Sequence, residues 1–240
     1  MMADWSCIRS TGSALLIVMA CWPAAAQEPS SAQVIAQIDS AARNRYEQVL
    51  GFTDVEHYAV FRGTDETHPA AQMTVKTTYR KGGGKSYEVL NESGSAFMAR
   101  IVLHPLLDNE REINLPGNVE QSWFTVANYE MQLKPGGVQQ INGRACYMLA
   151  VNARRKAPNM IDGTLWVDAK SGLVVRIDGM ATKSPAPFAG AARMIRDYMD
   201  LNDFSMSTHA RAESVSALFG RTVVTIDYGE YHLEVGTTFK

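Results

Sequence analysis

Cysteine is scarce in this chain of 240 residues: three in all, Cys7, Cys21 and Cys146. Cys7 lies in an N-terminal stretch that reads as removable, so a disulfide framework is excluded and the core must hold by packing alone. An excess of charge is missing too. The formal net charge is −2, which argues against nucleic acid or an anionic membrane surface as the main partner. Long apolar runs are also absent. The most apolar stretch, Ala14 to Trp22, is far shorter than the roughly 20 residues a membrane span needs. Catalytic signatures are lacking as well, with neither a Gly-x-Ser-x-Gly elbow nor a phosphate-binding Gly-x-x-x-x-Gly-Lys loop. The histidines are scattered. His57, His209 and His232 have no second ligand at metal spacing, so no metal or cofactor is expected.

What is present begins with an export signal. Arg9 precedes the apolar run, Pro23 breaks it, and Ala24-Ala25-Ala26 offers a cleavage site before Gln27. Residues 1–26 are therefore expected to be a signal peptide, with 27–240 forming one domain. Val18-Met19-Ala20-Cys21 admits a competing reading as a lipobox that would leave Cys21 acylated at an outer membrane.

Helical spacing follows over Ala32–Leu50, with apolar residues at Val34, Ile35, Ile38, Ala41, Ala42, Tyr46 and Val49. Ser30 or Ser31 would cap that helix and Gly51 would stop it. The period then changes to two, predicting strands over Phe52–Arg62, Gln72–Arg80 and Lys85–Asn91, the last two joined across Lys81-Gly82-Gly83-Gly84. Ser95–Glu112 reverts to helical spacing through Phe97, Met98, Ile101, Val102, Leu106 and Leu107, with an interruption at Pro105. Such a segment fits either a movable cover or a helix fixed on the sheet.

From Trp123 onward strands follow one another: Tyr129–Leu133, Arg144–Asn152, Thr164–Asp168, Leu173–Ile177, Ala192–Met199, Ser205–Ala212 and Arg221–Tyr228. A meander this long implies an antiparallel sheet that twist should curl toward a barrel. Its clearest hairpin is Gly163–Gly179, turning through Asp168-Ala169-Lys170-Ser171-Gly172. Pairing Asp168 with Leu173 sets Trp166 opposite Val175 and Leu165 opposite Arg176. Trp166, Leu173, Val175 and Ile177 then share one apolar face, with Arg176 and Asp178 on the other. Lys183–Gly190 is a Pro-bracketed loop. Asp197, Asp200, Asn202 and Asp203 read as a polar turn rather than a calcium loop. Cys146 sits among apolar neighbours and reads as a buried, inert thiol. Arg154-Arg155-Lys156 is a basic loop that would meet lipid phosphates if it lay beside a pocket mouth.

Together with the helix-then-meander order, certain residues resemble the LolA/LolB-like superfamily of periplasmic lipoprotein carriers, and an uncharacterised bacterial branch described as outer-membrane lipoprotein-sorting-like. They are Asn128-Tyr129, Gly143-Arg144-Ala145-Cys146-Tyr147, Asp162-Gly163, the Leu165–Arg176 hairpin, Arg176-Ile177 and Lys183-Ser184-Pro185. The resemblance covers Asn128 to Tyr231 well and the first half in outline. It implies a mainly β fold, an unclosed antiparallel barrel whose concave face is covered by α-helices. It also implies a non-enzymatic role as a periplasmic carrier or chaperone for lipid acyl chains or an acylated lipoprotein. The expected groove residues are Trp166, Leu173, Val175, Ile177, Phe97, Met98, Ile101 and Val102. In the carriers an Arg beneath the lid holds the empty cavity closed, and Arg62 and Arg80 are the candidates for that role. The same scaffold serves envelope sensor domains with protein partners, which is the alternative reading. An exported hydrolase with a site assembled from dispersed residues is a third.

Overall fold

Helix α1, Ser31–Gln48, opens the computed structural model, which describes residues 29–157, 159–183, 190–217 and 219–236. The signal peptide, the lipobox and most of the Pro-bracketed loop (Ser184 to Ala189) lie outside the described residues. Ser30 is the cap of α1. Its side chain accepts from the Gln33 N–H at 3.3 Å while Gln33 Oε1 accepts from the Ser30 N–H at 2.8 Å, satisfying two otherwise orphaned donors. The helix ends at Gln48 rather than at Gly51. Val49 is already extended, and Gly51 is paired within the next strand opposite Arg80. An added Cβ there would sit 2.9 Å from the Tyr79 carbonyl oxygen, so this glycine serves strand contact and not helix termination.

Among the described residues eleven strands form one antiparallel sheet. In chain order they are β1 Val49–Arg62, β2 Ala71–Arg80, β3 Gly84–Gly94, β4 Tyr129–Leu133, β5 Gln139–Ile141, β6 Arg144–Ala153, β7 Ile161–Asp168, β8 Val174–Ala181, β9 Ala192–Leu201, β10 Phe204–Ser216 and β11 Gly220–Val235. The spatial order is β3-β2-β1-β11-β10-β9-β8-β7-β6-β4, with β5 on β6. Because β3 and β4 do not meet, the barrel is unclosed, as the resemblance implied. The short β5 carries too few residues to show alternation, and the sequence reading missed it. Bulges at Val49/Gly51 and Thr53/Val55 in the β1–β11 pairing, and at Ser207/His209 between β9 and β10, add local twist and bend the strands.

The β7–β8 hairpin shows where the expected register holds and where it fails. Near the turn it is as read: the Asp168 N–H donates to the Leu173 carbonyl at 2.9 Å, and Asp168 Oδ1 accepts from the N–H groups of Lys170 and Ser171 at 3.0 and 2.7 Å. Val167 pairs with Val174, but one residue on, Trp166 pairs with Arg176 and Leu165 with Ile177. A bulge on β8 absorbs the extra residue. Trp166 and Arg176 therefore share the outer face. The Trp166 Nε1–H donates to Gln139 Oε1 at 3.3 Å, and Arg176 forks onto Asp197 at 2.6 and 3.0 Å. Further along, Gly163 faces Gly179, where an added Cβ on Gly163 would approach the Asp178 carbonyl oxygen to 2.2 Å. Only glycine fits that crossing.

A helical cover lies over the sheet. It runs through α2, Ala96–Met98, a π-helical turn over Ala99–Leu103, and α3, His104–Ile113. Pro105 has no N–H for the carbonyl one turn earlier, and the widened turn before it absorbs that defect, so the helix continues instead of breaking. Met98, Ala99, Leu103 and Leu107 pack on Tyr58, Met73 and Val75 of β1 and β2. A second apolar cluster joins Val34 and Ile38 of α1 to Leu149, Leu165 and Ile177. A third stacks Phe52 on Tyr79, with ring centroids 5.1 Å apart, beside Phe204 and Met206.

Candidate functional site: a covered cavity with buried charge

Between these clusters the sheet and helices do not meet. They enclose a cavity of about 910 Å³, toward the upper end of the roughly 300–1,000 Å³ typical of small-molecule sites. Its floor is the inward face of the sheet. Ala212 of β10 lies between Met194 of β9 and Val224 of β11, and all three line the void. Ile38 and Ala42 of α1 and Ile101, Val102 and Leu106 of the cover form the other walls. Phe97 is half exposed, and its ring meets Phe219, across from the cover, at 6.4 Å.

Of the residues expected on the groove, Leu173, Ile177, Phe97, Met98, Ile101 and Val102 do line this cavity. Trp166 and Val175 do not; the bulge places Val174 there instead. Arg62 and Arg80 are not part of it either. Arg62 donates to the Phe219 carbonyl at 3.0 Å, and Arg80 pairs on the surface with Glu234 at 2.5 Å. The basic loop is engaged elsewhere. Arg154 pairs with Glu130 at 3.2 Å, and Arg155 donates to Asn128 Oδ1 at 2.8 Å and to the Gln121 carbonyl, tying down the segment before β4. Cys146 is fully buried, and burial holds its thiol above the ordinary value.

Sequence reasoning missed the charges inside the cavity: Arg45, Lys85, Glu110, Arg196 and Arg211. Glu110 of α3 reaches Lys85 Nζ at 3.3 Å with one oxygen and Arg196 Nη2 at 3.6 Å with the other. Lys85 also lies 4.0 Å from Glu56, which accepts a short hydrogen bond from the Tyr58 hydroxyl. Burial would raise the Glu110 carboxyl, but Lys85 and Arg196 outweigh it and hold it below its ordinary value. The Lys85 ammonium, which burial alone would lower, is raised by Glu110 and Glu56. This network clamps the cover to the sheet.

Asp54 stands beside that network and titrates differently. Burial, and then the Glu56 charge, push its carboxyl from 3.8 up to about 7. Between those values the unfolded chain gives up a proton that the folded protein keeps, so stability falls as pH rises from about 4 to about 7. Asp54→Asn is expected to remove that slope and to raise stability at about pH 8 by about 2–4 kcal/mol. Urea unfolding of both proteins at about pH 5 and about pH 8 checks it; parallel pH profiles would contradict the assignment.

No family model matches the chain, and no curated protein matches it. Solved structures do resemble it. A LolA superfamily protein from Nitrosomonas europaea shares 9% identity over 86% of this chain and 94% of its own, with a TM-score of 0.48. An outer membrane lipoprotein-sorting protein domain from Vibrio parahaemolyticus shares 10% over 88% and 96%, with a TM-score of 0.49. A DUF1329 family protein from Desulfovibrio piger shares 14% over 88% and 96%, at 0.43. The likeness is one of fold alone.

Proposed function

We propose that this protein binds lipid acyl chains, free or attached to a lipoprotein, and carries them across the periplasm without catalysis. The observation that supports the reading is the cavity itself. About 910 Å³ of space lies beneath an amphipathic cover, walled largely by apolar side chains and left unfilled by the described residues. Each CH₂ moved from water into such a space gains about 0.8 kcal/mol, so a partly inserted tail is enough for reversible holding. The cover is built for that reversibility. One face, Met98, Leu103 and Leu107, anchors it to β1 and β2, while Ile101, Val102 and Leu106 face the void. Export through the N-terminal signal, with the remainder as a single unit, completes the reading.

Protein purified in its native state from an expressing bacterium, without detergent, should release fatty acids or phospholipid on solvent extraction, detected by mass spectrometry. Protein made in a lipid-free cell extract should release none. Identical extracts from both preparations would count against the proposal. One observation favours the sensor alternative: β3 ends the sheet with Val89 and Leu90 about half exposed, and an open edge suits addition of a partner strand. A protein partner whose binding is lost on Val89→Lys would move the assignment toward it.

A further inference from the structure

The cavity contains a cation that no described residue neutralises. Arg45 projects from α1, on the same stripe as Val34, Ile38 and Ala42, into the space beneath the cover. Among the described residues its guanidinium makes no ion pair, and its Nε is buried without a hydrogen-bond partner. Arg45 is partly buried and lines the cavity. Tyr198 also lines the cavity, within electrostatic reach of both Arg45 and Arg196. The Arg196 Nε is likewise buried and unpartnered, and only its Nη2 reaches Glu110. Two guanidinium groups with donors to spare thus line one cavity. Four cations line the cavity, Arg45, Lys85, Arg196 and Arg211, against the single carboxylate of Glu110. Arg211 is neutralised by Glu66 and Glu213 at 3.0 and 3.1 Å, and Lys85 and Arg196 together face Glu110 and Glu56. Among the described residues one positive charge is left over, that of Arg45.

An isolated buried charge is costly unless a counter-ion meets it. We infer that the cavity takes its ligand head-first: a fatty-acid carboxylate pairs with Arg45 inside the cavity, and its chain lies along the apolar floor. This rests on the acyl-binding reading and narrows it to an anionic amphiphile with its head inside. A monoanion is the right charge. It balances Arg45, whereas a phosphate dianion would bring a surplus negative charge next to Glu110. A planar carboxylate also matches the forked donors of a guanidinium. The floor of the same cavity, with Met194, Ala210 and Ile226, is apolar and would receive the tail.

The test uses three ligands with one tail and different heads: dodecanoate, dodecanol and dodecyl phosphate, each competing with a fluorescent acyl probe on the full chain. Wild type is expected to bind dodecanoate about ten-fold or more tighter than dodecanol. Arg45→Met should erase that preference while still binding dodecanol, and Arg45→Lys should keep part of it. Circular dichroism establishes that each variant is folded. Equal affinity of wild type for dodecanoate and dodecanol would overturn the head-group assignment and leave acyl binding standing. Tighter binding of dodecyl phosphate than of dodecanoate would overturn the carboxylate. Failure of all three ligands on folded wild type would overturn the acyl-binding reading beneath it.

Discussion

Glu110→Ala is expected to destabilise the protein by about 3–5 kcal/mol, because it leaves two buried cations without their shared counter-ion. Lys85 and Arg196 approach opposite oxygens of that one carboxylate, and the Glu110 side chain is only 14% exposed. With the carboxylate gone, Lys85 retains Glu56 at 4.0 Å, but Arg196 has no other acidic partner among the described residues. Since Glu110 belongs to α3, the loss should appear first as loosening of the cover. Hydrogen exchange across His104–Ile113 should rise before the sheet responds. Urea unfolding measures the total. A double variant, Glu110→Leu with Arg196→Met, should be less destabilised than Glu110→Ala, because the charges leave together. A single variant within about 1 kcal/mol of wild type would mean that the network contributes little.

The second large effect is expected on binding and not on stability. Ala212→Trp places an indole in the middle of the cavity floor, between Met194 and Val224. Ala212 is only half-buried although it lies on an inward-facing row, so its Cβ borders empty space. The ring should occupy part of the void without displacing packed neighbours, leaving stability within about 1 kcal/mol of wild type. Affinity for an acyl probe should fall about ten-fold or more, since the ring and the chain compete for one volume. Fluorescence titration together with thermal unfolding checks both halves. Unchanged probe affinity in a folded variant would place the acyl site elsewhere.

Much of the architecture is visible in the chain because alternation and helical spacing are local signals. The helix with its Ser30 cap, the broken amphipathic cover and the long antiparallel meander all follow from residues a few positions apart. What escaped is non-local. The β8 bulge depends on how β7 and β8 pair, and one added residue carried Trp166 from the expected inner face to the outer one. The buried charges escaped for a different reason. Arg45 continues the apolar stripe of α1, and Arg196 alternates in phase with Ala192, Met194 and Tyr198, so position alone would have placed both inside. A cation on an apolar face reads as solvated until its partner is known, and Glu110 and Lys85 lie far away in sequence. Pro105 was recognised as a disturbance. That a π-helical turn would accommodate it, keeping the cover continuous, is decided by packing on β1 and β2.

The central claim is that the covered cavity holds an acyl chain, and titration of delipidated, folded protein with a fluorescent fatty-acid probe tests it most directly. Binding should be saturable, competed by unlabelled fatty acid and weakened by Ala212→Trp. Protein that is folded and lipid-free as purified, yet binds no acyl probe at any accessible concentration, would contradict it.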